Sequence, residues 1–213
     1  MLGLAKSTEY NKRIPKKTFY EKIEISSVLK KNFTEQIKII YWRNKIAAEI
    51  VNLTKGKNVL EVEVFEIKLN TEVFDADILR QIDKILPYHI VFLLEYEGKY
   101  QAWISYKEIE DDKIKVNQYF HTKWLEEKSL PCKMEGFDMD SVYENFVRQI
   151  AGDELEHKEG NSLKEDILRA EAKKKLTGQI NALQTKIRKE KQFNKKVELN
   201  KKLKELKIVY NEI

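Results

Sequence analysis

The sequence predicts an α+β fold: a mostly antiparallel sheet with packed helices, followed by a long C-terminal coiled-coil-like helix. Three observations carry this reading. Runs rich in β-branched and aromatic residues at 39–42, 59–69, 89–96, 99–106 and 113–120 have strand character. Stretches at 75–86 and 138–151 place apolar residues at helical spacing. From 163 to 213 the chain is Gly-poor, Pro-free and Lys-rich, with apolar residues every third or fourth position.

Taken in order, residues 1–14 read as an extended arm. Pro15 suits a first helical turn, so a short helix is expected over 15–22. A second helix follows, with Ser27 as its cap and Val28, Leu29, Phe33 and Ile37 on its buried side. Ile39, Ile40, Tyr41 and Trp42 then suggest a strand. Thr54-Lys55-Gly56-Lys57-Asn58 holds Gly and Lys without the spacing of a nucleotide-binding loop and reads as a turn before the strand at 59–69. The helix at 75–86 buries Ile78, Leu79, Ile82 and Ile85 and is ended by Pro87. Glu97-Gly98 joins the strands at 89–96 and 99–106 as a tight hairpin turn. Ile90-Val91-Phe92-Leu93-Leu94 is apolar on both faces and belongs in the middle of the sheet. The strand at 113–120 extends the sheet after the acidic turn Glu110-Asp111-Asp112, and the helix at 138–151 turns Val142, Phe146, Val147 and Ile150 inward. The expected organisation is an α+β globular domain over 1–152, a hinge over 153–160 and a basic helical association tail over 161–213.

In the tail, Leu176, Ile180, Leu183 and Ile187 keep one stripe on one side of a helix, and Leu199, Leu203, Leu206, Tyr210 and Ile213 repeat it out of phase. The seam breaks near 188–194, as an over- or underwound stretch of one helix or as the turn of a helical hairpin. The lack of Gly and Pro there favours a continuous helix, roughly 75 Å long, whose stripe needs a second chain. The tail holds 15 Lys and Arg against 7 Asp and Glu, a net of +8, so the first 160 residues are net −3 within the whole chain's +5. Lys173, Lys174, Lys186, Arg188, Lys189, Lys195 and Lys196 are therefore candidates for nucleic-acid contact. The plainer reading is the solvated face of a coiled coil, since Phe193 and Tyr210 are the only aromatic residues present to stack on bases.

Composition excludes several classes. No stretch approaches the roughly 18 uninterrupted apolar residues of a membrane helix, and Lys6, Glu9, Lys12 and Arg13 precede any apolar run that would direct secretion. A single Cys, Cys132, leaves no internal disulfide framework and fits the cytoplasm.

The most suggestive chemical motif is Glu66-Ile67-Lys68. Many metal-dependent nucleases set an acid and a Lys two apart on a strand so that both point at one phosphate. That chemistry also needs an upstream acid, and with no Asp before Asp75 only Glu49, Glu61 or Glu63 can serve. A cross-face ion pair explains the motif more simply. His89, His121 and His157 have no ligand-like spacing, so no metal and no cofactor are expected. Cys132 has no partnered base in its neighbourhood and reads as an inert thiol, while Trp42, Trp103 and Trp124 are read as core residues, with Trp124, beside His121 and Lys123, the alternative candidate for an exposed binding surface.

Four strings stand out together: Lys12-Arg13-Ile14-Pro15-Lys16-Lys17-Thr18-Phe19-Tyr20-Glu21, Val64-Phe65-Glu66-Ile67-Lys68-Leu69, Leu79-Arg80-Gln81-Ile82-Asp83 and Ile85-Leu86-Pro87-Tyr88-His89-Ile90-Val91-Phe92. With 188–200 they resemble a bacterial family known as domain of unknown function 4391. The resemblance implies a protein encoded beside helicases and DNA methyltransferases of restriction or phage-defence type, and it supplies no catalytic residues. The resulting expectation is a non-enzymatic accessory or scaffold subunit of such an assembly. It would associate through Leu176, Ile180, Leu183, Ile187, Leu199, Leu203 and Leu206, with itself or with a helicase- or methyltransferase-type partner, and would contact nucleic acid. The alternatives are a Mg-dependent nuclease using Glu66 and Lys68, or a purely structural coiled-coil oligomer.

Overall fold

Strands that follow one another in the chain also lie side by side. The computed structural model describes residues 2–21, 25–110 and 113–213. Its one sheet runs in chain order through β1 (Glu9–Ile14), β2 (Ile37–Ala47), β3 (Glu61–Leu69), β4 (His89–Tyr96), β5 (Lys99–Glu110) and β6 (Lys113–His121). Every neighbouring pair is antiparallel except β3 and β4. A parallel pair needs a crossover, which helix α4 (Asp77–Ile85) supplies. The remaining helices of this unit are α1 (Lys17–Tyr20), α2 (Ser27–Gln36), α3 (Ala48–Val51) and α5 (Met139–Ala151). The chain divides into two compact units, Met1–Gly152 and Asp153–Ile213.

The sheet buries both faces. One side-chain parity of its strands, Ile40, Phe65, Ile67, Phe92 and Leu94, packs with Phe19 of α1, Phe33 of α2 and Ile78, Leu79 and Ile82 of α4. The opposite parity, Val62, Val64, Val91, Ala102 and Ile104, is equally buried, and α5 lies along β3, β5 and β6 with Val142, Phe146, Val147 and Ile150 buried. Each such side chain stabilises the fold by about 1.5–3 kcal/mol. Strand β4, between β3 and β5, is buried from His89 to Leu94, as a strand covered on both faces must be. Glu97 (φ 48°) and Gly98 (φ 78°) both take left-handed backbone, the requirement of the two-residue hairpin that twists with its strands.

Several expectations are corrected. The arm at 1–14 is in part an edge strand, since β1 pairs with β2 from Glu9↔Asn44 to Ile14↔Ile40. Ser26, not Ser27, caps α2 by accepting the Leu29 N–H at 3.1 Å, and Ile37 begins β2 instead of closing the helix. The end of the helix expected over 15–22, at Lys22, and the turn residues Asp111 and Asp112 lie outside the described residues.

The helical tail is present, but it is not one rod. It consists of α6 (Leu163–Lys189) and α7 (Phe193–Glu212), about 40 and 30 Å long at 1.5 Å per residue. They run antiparallel, because Lys173 in the first half of α6 sits 5.9 Å from the Tyr210 ring near the end of α7. The turn needs neither Gly nor Pro. Glu190 (φ −71°, ψ 129°) and Gln192 (φ −83°, ψ 121°) adopt extended backbone open to any residue, and the Glu190 carboxylate accepts the Gln192 N–H at 2.8 Å.

One buried ion pair ties the layers of the first unit together. Lys107 and Asp83 have fully buried side chains 3.4 Å apart. The Lys107 ammonium also donates to the carbonyls of Asp83 at 2.7 Å, Leu86 at 2.6 Å and Tyr88 at 2.7 Å, closing the C-terminus of α4. Asp83 accepts from Ser105 at 2.9 Å and from the Tyr119 hydroxyl. Tyr143 of α5 accepts the Lys107 N–H at 2.9 Å and donates to the Ser105 carbonyl at 2.6 Å. Removing one partner of a hydrogen-bonded buried pair costs about 3–5 kcal/mol. Lys107→Met should therefore destabilise the protein by at least that much in urea titration, since three carbonyls lose their donor together with Asp83. A loss under about 1 kcal/mol would contradict this role.

Candidate functional site

Glu66 and Lys68 lie two apart on β3 and so share a face, with the Lys68 ammonium 3.6 Å from the Glu66 carboxylate. The register of β2 against β3 shifts between Trp42 and Asn44, placing Arg43 beside them. The Arg43 guanidinium donates to Glu66 at 2.9 Å and to Glu127. Burial works against the charge of Arg43, but Glu127 and Glu66 more than offset it and hold the guanidinium protonated. Nearby Tyr100 is pushed up to about 12 by burial and by the carboxylates of Glu66, Glu127 and Glu95. The acids that a nuclease would enlist are elsewhere. Glu49 pairs with Lys55 at 2.9 Å, and Glu61 pairs with Lys45 at 2.6 Å. Glu61 and Glu63 have the opposite strand parity to Glu66 and so face the other side of the sheet. Among the described residues no three His, Cys, Asp or Glu side chains come together to hold a metal ion.

The loop at 54–58 does bind an anion, and that anion is part of the chain. Asp140, in the first turn of α5, accepts three successive backbone N–H groups, from Lys57 at 2.8 Å, Asn58 at 3.0 Å and Val59 at 2.8 Å. A Cβ at Gly56 would stand 2.4 Å from the Asp140 carboxylate, so the close approach requires glycine. Asp138 and Ser141 cap the same helix reciprocally, and Met139 N–H reaches the Thr54 carbonyl at 3.2 Å. The helix start at Asp138 was visible in the sequence; its use as a clamp on a loop some 80 residues earlier was not.

Glu63 is the most perturbed carboxyl of the sheet. Its side chain is fully buried, Oε2 accepts the Trp42 indole N–H at 2.5 Å, and Oε1 has no hydrogen-bond partner. Burial, reinforced by the neighbouring Glu61 carboxylate, pushes its pKa up to about 8. The group is thus protonated at neutral pH. Tyr10 on β1 packs on Trp42 with ring centroids 4.3 Å apart. The glutamates at 61 and 63 alternate with apolar residues as on a solvated face, so sequence alone did not mark Glu63 as buried.

The remaining candidates are inert. Burial pushes the Cys132 thiol up to about 12, so no thiolate forms near neutral pH. His89 is buried and held neutral by desolvation, with its pKa lowered to about 4, and Nε2–H donates to the Lys107 carbonyl at 3.1 Å. His121 stacks on Trp103, and His157 lies 2.9 Å from Asp166.

In the second unit Asp166 is fully buried and accepts from Asn161 at 3.1 Å and from the Lys158 N–H at 3.3 Å, so the segment before α6 is folded onto the start of that helix. Leu176, Ile180, Leu183 and Ile187 of α6 and Leu199, Leu203, Leu206 and Tyr210 of α7 are all half-buried, while nearly every residue between them is exposed. That is the pattern of two stripes turned toward each other with nothing more laid over them. Lys174, Lys186, Arg188, Lys189, Lys195 and Lys196 are exposed and form no ion pair with another described residue; Lys173 pairs with Glu156 at 3.2 Å.

Two stability tests follow from this geometry. The folded chain keeps Glu63 protonated up to about pH 8, whereas the unfolded carboxyl ionises near its ordinary 4.5. Between those values folding takes up a proton, so Glu63 makes stability fall as pH rises, until the effect levels off above about 8. Glu63→Gln keeps the hydrogen bond to Trp42 without the ionisation and should flatten that slope, gaining on the order of 1–3 kcal/mol over wild type at about pH 8.5. A variant whose profile parallels the wild type refutes a protonated Glu63. Asp140→Ala leaves three N–H groups without their acceptor and should cost about 2–4 kcal/mol in thermal or urea unfolding. A neutral result would mean that solvent serves the loop equally well.

No match to the chain is found among curated proteins or among solved structures. A family model described as Domain of unknown function (DUF4391) matches residues 2–208, which takes in both the sheet and the helical hairpin. The chain belongs to that family.

Proposed function

We propose that this chain is a non-enzymatic accessory or scaffold subunit of a bacterial DNA-processing or phage-defence assembly, acting in the cytoplasm, and that its helical hairpin is the part that touches nucleic acid. One observation carries the reading: the apolar stripes of α6 and α7 face each other, and the lysines and arginine between them are left outward and unpaired. Cations held in one rigid array gain by releasing counterions from a phosphate backbone. No helix among the described residues is long and apolar enough to cross a membrane, so the array is not the flank of a membrane-spanning helix. The stripes remain only half-buried, so the same seam can take further helices, from a second copy or from a helicase- or methyltransferase-type protein. The nuclease alternative has Glu66 and Lys68 on one face, but Arg43 already occupies the carboxylate.

The test is binding of labelled duplex and single-stranded DNA across a salt series by the full chain and by a Lys186→Gln, Lys189→Gln, Lys195→Gln, Lys196→Gln variant. Wild type should bind with a steep salt dependence. The variant should lose at least about ten-fold in affinity at low salt, with the slope reduced by roughly 0.7–0.9 for each phosphate contact removed. Absence of salt-sensitive affinity for either probe would leave the hairpin a purely structural association device.

A further inference from the structure

The turn of the hairpin gathers the densest charge of the tail around an aromatic ring. Between Lys186 and Glu198 the chain holds Lys186, Arg188, Lys189, Lys191, Lys195 and Lys196 against two acids, Glu190 and Glu198, which line one surface with Lys186, Lys189 and Lys195. Glu190 is engaged locally by the Gln192 N–H. All six cations are exposed. Phe193 opens α7 at this tip and is 78% exposed.

That exposure has a geometric cause. Carried back from Leu199, the seam of α7 falls on Lys196 and Gln192, so Phe193 lies one residue off the line that meets α6. Burying a ring of this size is worth about 1.5–3 kcal/mol, and the hairpin fold does not collect it. The tip therefore presents an exposed apolar ring within a stretch rich in cations. A protein surface would need an apolar socket walled with carboxylates to match it. An unpaired nucleobase with its two flanking phosphates matches it with no special construction, because every base has a π face and every nucleotide carries a negative charge. A closed duplex does not serve, since its base faces are already stacked.

We infer that the hairpin tip is a recognition element for unpaired bases, at a single strand or at a fork, with Phe193 stacking on the base and Arg188, Lys189, Lys195 and Lys196 holding the adjacent phosphates. This rests on the nucleic-acid reading above and deepens it by naming the class of substrate and the residue that selects it. The same placement makes the tip a wedge: the helices behind it are about 30–40 Å long, and the ring meets the strand at the point where pairing ends.

The experiment uses the full chain and three labelled probes, an oligothymidylate, a forked duplex and a duplex closed by loops of abasic linker at both ends. Phe193→Ala should weaken oligothymidylate and fork binding by about ten-fold, from the loss of one base stack, and leave the closed duplex and the salt slope unchanged. Phe193→Trp should restore binding, and its fluorescence should be quenched as oligothymidylate is added. If Phe193→Ala binds all three probes as wild type does while the four-lysine variant loses affinity, the stacking proposal is overturned and the nucleic-acid reading stands. If wild type shows no salt-sensitive affinity for any probe, both fall. Unchanged far-UV circular dichroism of Phe193→Ala, expected for so exposed a side chain, shows that any loss is one of recognition and not of folding.

Discussion

The arrangement of the first unit depends on where one ammonium group sits. A helix that crosses between parallel strands must end beside the next strand, and its last carbonyls then lie in the protein interior without donors. Lys107 reaches across from β5 to the carbonyls of Asp83 and Leu86 at that end and of Tyr88 just beyond it, and Asp83 on the same helix neutralises it. Through Tyr119 the pair engages β6, and through Tyr143 it engages α5, on the opposite face of the sheet. The network costs desolvation of two charges, which burial shows by pushing Asp83 up and Lys107 down from their ordinary values. It is tolerated because nearly every donor and acceptor around it is used. A hydrophobic substitute would leave the end of α4 unsatisfied, so the charge pair is better understood as the closure of a helix than as an electrostatic ornament.

Much of this was legible beforehand, and the misses have specific causes. Five of the six strands and the helices α4 and α5 follow from alternation and from helical spacing, because each buries its apolar positions in the regular way. β1 did not, since five of its six residues are exposed and an edge strand with no buried parity carries no periodic signal. The hairpin turn was passed over because the usual markers of a turn, Gly and Pro, are needed only for positive φ or a missing donor, and this turn requires neither. The residues of the tail stripes are half-buried along α6 and α7. What the spacing does not contain is whether a stripe's partner is another chain or the same chain returning.

The site chemistry was harder to read for a related reason. Glu66, Lys68 and the loop at 54–58 were visible as motifs, but their meaning depends on partners far off in sequence: Arg43 on β2, Glu127 after the sheet, and Asp140 on α5. Sequence spacing carries information over one turn or one strand. It does not say that a cradle of backbone N–H groups is already filled by a carboxylate some 80 residues away. Glu63 and Lys107, the most unusual groups energetically, sit in strands whose pattern would place them in water.

Taken together, the charges of the two units behave oppositely. In the first, the groups that resemble binding chemistry are satisfied from within: Arg43 by Glu66 and Glu127, Lys45 by Glu61, the loop amides by Asp140, Lys107 by Asp83. An anionic ligand arriving there would have to displace a carboxylate that is already tethered, at a cost in preorganised hydrogen bonds that a mobile phosphate does not easily match. In the second unit 16 Lys and Arg stand against 11 Asp and Glu, and most of these cations have no ion-pair partner among the described residues. Their mutual repulsion is relieved only by counterions, which a polyanion replaces with a gain in entropy. Unpaired cations are thus concentrated in the hairpin by subtraction as well as by composition, and within the hairpin they are densest at the turn, where Lys186, Arg188, Lys189, Lys191, Lys195 and Lys196 flank Glu190, Glu198 and the exposed ring of Phe193.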